Sequence, residues 1–138
     1  MTMKQQTLIL VKPDGVRRHL TGQILARIEA KGYTIESMRM LTASEEQLAA
    51  HYHEHVDKPF YPGIVRYMTS GPIVAAVISG YRVIEGVRSL SGATDPTVAA
   101  PGTIRGDFGC DTGSDAIENL IHSSDSPESA EHEIHVWF

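Results

Sequence analysis

At 138 residues the chain has the size of one domain, and its 41% hydrophobic, 21% charged and 7% aromatic residues exclude collagen-like, disordered and disulfide-scaffold classes. A net charge of −5 argues against a general nucleic-acid binder, whose affinity comes from Lys and Arg on phosphates. Residues 1–105 carry 12 Lys+Arg against 9 Asp+Glu, whereas residues 106–138 carry 8 acidic groups and no Lys or Arg, so an acidic solvated terminal helix is expected beside a near-neutral body.

The polar start Met1–Gln6 and the short apolar run Leu8–Val11 fall short of a signal-peptide core or a membrane span. With Cys110 as the single cysteine, which excludes an internal disulfide, the expected compartment is the cytoplasm. Thr7–Val11 is a short, nearly continuous apolar run rich in β-branched residues, as in a central strand buried on both faces, and Lys12-Pro13-Asp14-Gly15 ends it. From Thr21, Ile24, Leu25 and Ile28 recur at helical spacing up to Gly32, a left-handed cap, and Tyr33–Met40 reads as a strand. Ser44-Glu45-Glu46-Gln47 has the form of a capping box opening a second helix, and Pro62 opens a short third one that Gly71-Pro72 closes. Ile73–Ile78 is a buried strand, followed by a helix with Val83, Ile84, Val87 and Leu90 on one face.

Ser91–Ser114 holds five glycines, two prolines and four threonines with almost no apolar periodicity, so it reads as a long loop and the first place to seek a site. Asn119–His122 is a short strand, and Ser126-Pro127-Glu128 begins a last helix. The strand-helix-strand pattern occurs twice. Two such units interleave as an α+β, ferredoxin-like (split βαβ) four-stranded antiparallel sheet with helices on one face, in a single domain over residues 1–138.

Neither a Walker-type glycine loop nor a Gly-x-Gly-x-x-Gly turn follows a strand, so any nucleotide is held by side chains. Lys12, Arg88, Thr94 and Arg105 offer a point charge, two planar forks of donors and a hydroxyl, which together suit a polyphosphate. Each alone reads as a solvated surface residue. His122 stands between an apolar strand and a turn opening a helix, where a neutral imidazole can attack phosphorus and the helix N-terminus favours the anion. Glu133, about two turns into that helix, is placed to hold the other ring nitrogen directly or through Ser124. A lone histidine and a helix glutamate also have plain structural readings. In His51-Tyr52-His53-Glu54-His55 only His51 and His55 share a helix face and no cysteine joins them, so a polar helix end is favoured over a metal site. Phe60-Tyr61 between prolines reads as a hydrophobic corner or a stacking platform.

Lys12–Gly15, Tyr67–Pro72, Gly92–Pro96, Pro101–Phe108 and Asn119–Ser126, in this order and spacing, resemble the nucleoside diphosphate kinase family over residues 7–108 and 119–138. The resemblance implies γ-phosphoryl transfer from a nucleoside triphosphate to a nucleoside diphosphate, ping-pong, through a phosphohistidine on Nδ1 of His122. It further implies that Lys12 reaches phosphates and ribose, that Arg88, Thr94 and Arg105 hold phosphates, and that Asn119 bonds the ribose 3′ hydroxyl. Phe60 would stack on the base, Tyr52 flank the histidine, and Glu133 with Ser124 orient it. Mg²⁺ would arrive bridging the nucleotide phosphates, with no protein-held metal, and the partner would be a second copy of the chain, in a hexamer before a tetramer or smaller assembly.

Three features depart from the family pattern: about four more residues between Phe108 and Asn119, Ser123 in place of the usual glycine, and no extension after Phe138. The rivals are a nucleotide-sensing or nucleic-acid-binding module on the same fold and a purely structural subunit. Neither needs a histidine beside a phosphate clamp, and the strand cores are aliphatic rather than aromatic.

Overall fold

A computed structural model describes residues 3–138, so the first two positions of the polar start Met1–Gln6 lie outside it. The elements run β1 (Lys4–Val11), α1 (Pro13–Arg17), α2 (Thr21–Ala30), β2 (Thr34–Leu41), α3 (Glu45–His51), α4 (Tyr61–Met68), β3 (Ile73–Tyr81), α5 (Val83–Ser91), α6 (Ile104–Phe108), β4 (Ile121–Ser123) and α7 (Pro127–Trp137). The sheet order is β2-β3-β1-β4, antiparallel throughout, which is the expected interleaving of two split units.

β1 organises the whole. Its alternation sends Ile9 and Val11 to one core with Ile24, Ile28, Val83 and Val87, and Leu8 and Leu10 to another with Leu48, Met68 and Trp137. Helices therefore cover both sheet faces, α2 and α5 on one and α3, α4 and α7 on the other, which corrects the one-face expectation. The reason was visible in β1 itself, because its consecutive apolar residues Leu8–Val11 point to both faces and need cover on both sides.

Two short helices escaped the sequence reading. α1 is a single turn opened by Pro13, too brief to show a period. Gly15 is required within it, since a Cβ there would stand 2.8 Å from Val11 Cγ1 and 3.1 Å from the Leu120 carbonyl. α6 interrupts the expected long loop: the Thr103 hydroxyl accepts from Gly106 N at 3.0 Å and caps it, while Ile104 is fully buried. One and a half turns with one buried apolar residue leave no periodic signal. The Ser44 capping box is formed as read.

The backbone between these elements aims the histidine strand. Asp14 is buried, accepting from the Tyr67 hydroxyl on one carboxylate oxygen and from Leu120 N on the other at 3.2 Å. Leu120 has φ 73°, and Ile121 N bonds back to Asn119 O at 2.8 Å, a tight three-residue turn that is strained for a non-glycine residue. Lys12 N also donates to Leu120 O at 2.8 Å, so the chain leaving β1 and the chain entering β4 hold each other.

Gly15→Ala should destabilise the fold by about 1–3 kcal/mol, because the new methyl meets a packed side chain and a backbone carbonyl. Urea denaturation reads this directly. Wild-type stability would show that Val11 and Leu120 give way at no cost.

Candidate active site

A cavity of about 610 Å³ opens between α3, α5, α7, β4 and the loop after α5. Lys12, Tyr52, Arg88, Thr94, Arg105, Asn119, His122 and Glu133, gathered from seven separate stretches of chain, all line it. Of the other residues singled out from the sequence, Ser124 is fully buried behind Glu133, and Phe60 is 53% exposed, outside the cavity wall, with its ring centroid 5.6 Å from that of His55, which lines the wall.

His122 is held from one side. Glu133 Oε1 accepts from His122 Nε2 at 2.7 Å and from the Ser124 hydroxyl at 2.7 Å. Leu8 N donates to Ser124 Oγ at 3.1 Å, which fixes that hydroxyl against β1. With Nε2 committed as donor, Nδ1 is the nitrogen that keeps its lone pair. Burial, reinforced by Lys12, Arg105 and Arg88, pushes the His122 pKa down to about 3, so the ring is neutral at physiological pH. Burial raises the Glu133 carboxyl, with His51 and the Ser124 hydrogen bond opposing.

The cations are positioned with equal care. Lys12 Nζ donates to Asn119 Oδ1 at 2.8 Å and lies 5.7 Å from the centre of the Tyr67 ring. Burial, helped by Arg105 and opposed by Asp14, lowers its pKa to about 8. Asn119 Nδ2 donates to Thr94 O at 2.9 Å, so one amide ties Lys12 to the loop that carries Thr94. Arg105 is buried, and its guanidinium donates to three carbonyls, Asn119, Gly92 and Ile121. Of its five N–H groups two remain, so Arg105 is a rigid strut of the histidine strand as much as an open fork. Arg88 reaches Ser123 O at 3.4 Å, a long contact that leaves its fork largely free.

The sequence reading missed His51. It is buried rather than part of a polar helix end, accepting from Trp137 Nε1 at 3.0 Å through Nδ1, with its ring 4.4 Å from the His122 ring, edge to face. Burial and His122 push its pKa down to about 3, so it is a neutral wall of the site. The available signal was position: His51 falls on the same α3 face as Leu48, the buried side. Tyr52 follows it, its hydroxyl raised by burial and by Glu133. Ligand atoms of His51, His122 and Glu133 lie within 4.8 Å of one another, yet the Nδ1 of His51 is taken by Trp137 and the surrounding charges are Lys12, Arg88 and Arg105. That field favours an anion over a metal cation.

A neutral, buttressed imidazole facing three converging cations is arranged for attack on a phosphorylated substrate. The family model for nucleoside diphosphate kinase matches residues 5–138. The chain belongs to the nucleoside diphosphate kinase family. It is 53% identical over 134 residues to the nucleoside diphosphate kinase of Thermobifida fusca, covering 97% of this chain and 96% of that protein. With the Streptomyces avermitilis enzyme the identity is 55% over 137 residues, covering 99% and 97%. Among solved structures it is similar to the Borrelia burgdorferi enzyme, a transition-state mimic with bound vanadate and ADP, at TM-score 0.90 and 36% identity over 98% of this chain and 87% of that one. The Halobacterium salinarum enzyme in complex with CDP gives TM-score 0.91 and 46% identity over 99% and 88%.

Lys12 is charged below about pH 8 and neutral above it. The kcat/KM for nucleotide is therefore expected to fall as pH rises through that value, since the free enzyme loses a positive charge from the cavity wall. In Lys12→Gln the activity should drop and this alkaline limb should disappear. A limb that persists in the variant belongs to another group.

Proposed function

We propose that this chain exchanges γ-phosphoryl groups between nucleoside triphosphates and nucleoside diphosphates in a ping-pong cycle through phosphohistidine on His122 Nδ1. The observation that carries the reading is the engagement of His122 Nε2 by Glu133 in a wall shared with Lys12, Arg88 and Arg105. In the first half-reaction the Nδ1 lone pair attacks the γ-phosphorus and the bond to the β-phosphate oxygen breaks, releasing the diphosphate. In the second, a β-phosphate oxygen of another diphosphate attacks and the N–P bond breaks. Donor and acceptor use one pocket in turn, which requires no second site.

Lys12, Arg88, Thr94 and Arg105 neutralise the transferring oxygens, and Glu133 keeps the imidazole oriented and stabilises positive charge as the N–P bond forms. Asn119 takes the ribose 3′ hydroxyl, and Tyr52 packs beside the histidine pair. Phe60, with no polar edge presented to a base, stacks without reading its identity, which suits broad nucleotide use. Mg²⁺ would be held by the nucleotide phosphates rather than by protein ligands and would supply further neutralisation of phosphate charge, since the cationic inner wall suits a magnesium polyphosphate better than a bare cation.

The two cores share one sheet, which supports reading residues 1–138 as a single domain. Among the described residues no helix is long and apolar enough to cross a membrane, and a cytoplasmic location with no nucleic-acid partner fits this reading. A homo-oligomer, hexamer before tetramer, is supported by β2, an edge strand whose Met38 and Met40 are 60% and 62% exposed. Sedimentation at micromolar concentration should give a closed assembly, and a fully active monomer at all concentrations would refute it.

Incubation with radiolabelled ATP and Mg²⁺ should yield an acid-labile, base-stable phosphoprotein in the wild type and none in His122→Ala, which should still bind nucleotide. A phosphohistidine in the variant would place the nucleophile elsewhere. Arg88→Ala should lose on the order of 2–4 kcal/mol in kcat/KM, the cost of one oxyanion donor. Near-normal kinetics would remove Arg88 from the clamp.

A further inference from the structure

α3 ends at His51, so its last carbonyls lack helical partners. One of them, Ala50 O, accepts from His132 Nε2 of α7 at 2.7 Å and is also approached by His53 Nδ1 at 3.3 Å. The two imidazoles meet edge to face with ring centroids 4.7 Å apart, on the outer wall of the catalytic cavity. A helix C-terminus favours such donors in both the neutral and the charged state of the ring.

The place of this contact is what gives it a role. Ala50 immediately precedes His51, and His132 immediately precedes Glu133. These two neighbours are the groups that flank the His122 ring, His51 at 4.4 Å between centroids and Glu133 at 2.7 Å from Nε2. Further along α7, Trp137 donates to His51 at 3.0 Å. α7 is thus pinned to α3 at two points, and Glu133 lies between them. Among the described residues, losing the His132 point would leave Trp137 as the one hydrogen bond between α7 and α3 and so loosen the register of Glu133 at Nε2.

We propose that His132 is a positioning residue for the nucleophile: by bonding Ala50 O it registers α7 against α3 and so fixes Glu133 and His51 on either side of His122. The proposal rests on the reading of His122 as the phosphorylated residue. The hydrogen bond of His132 goes to Ala50 O and not to the His122 ring. Its effect is therefore expected in the rate of phosphoryl transfer rather than in nucleotide affinity.

The test compares His132→Leu, His132→Gln and His132→Asn in single-turnover phosphorylation by Mg-ATP, with nucleotide affinity and urea stability measured alongside. His132→Leu should slow phosphoenzyme formation at saturating nucleotide about fivefold, the size of one lost hydrogen bond, with affinity changed less than about twofold. Gln, which keeps a donor at similar reach, should recover the rate to within about twofold. Asn, which is shorter, should remain slow. A wild-type rate in His132→Leu overturns the proposal, and so does a Gln variant as slow as Leu. Should His132→Leu not fold, the Gln and Asn pair decides alone, because equal rates there remove the role of the bond. Failure of the wild-type enzyme to form phosphohistidine would instead overturn the functional reading.

Discussion

A single carboxylate oxygen, Glu133 Oε1, accepts from both His122 and Ser124, and the rest of the site is arranged around that double contact. It sets which ring nitrogen keeps a lone pair, and it joins α7 to β4. Through Ser124 and Leu8 it also joins both to β1. An imidazole without this partner would rotate about its side-chain bonds and present either nitrogen. A carboxylate without the imidazole would be a half-satisfied buried charge, which is costly. Each group therefore makes the burial of the other tolerable.

Around that pair the electrostatics are deliberately unbalanced. Three cations surround a ring whose burial already opposes protonation, so the nucleophile stays neutral while its surroundings stay positive. An entering polyphosphate would relieve that imbalance, so that binding would itself favour the transfer step. The same repulsion appears within the clamp, where burial and Arg88 lower the Arg105 pKa to about 10. Its three carbonyl partners compensate by accepting its donors.

The sequence made the long elements legible because β1, β3 and α5 are dictated by uninterrupted or periodic apolar residues that no other structure buries as well. Individual residues of the clamp were legible as chemistry, and local strings identified the family, but the convergence itself was not. Nothing in the chain near Asn119 announces that its amide spans Lys12 and the Thr94 carbonyl, residues far apart in sequence. α1 and α6 were too short for a period, and the strained backbone at Leu120 is enforced by Asp14 and Lys12 from outside its own segment. His51 was misread because a histidine among histidines looks like a polar surface until a tryptophan from another helix is found donating to it.

The bonds between Leu8 and Ser124 join residues 116 positions apart, and β1 meets β4 through only Ile9, Leu10 and Val11. Such contacts are the most expensive in chain entropy to close, and they reward the chain only after the intervening segments have condensed. The nucleophile sits on the short strand that these contacts hold in place. Helices and the β1–β3 pairing can assemble from nearer partners and restore most secondary structure without it. Recovery of circular dichroism during refolding is therefore expected to run ahead of recovery of catalysis, and the enzyme's own turnover becomes a clock for the closing of its longest loop.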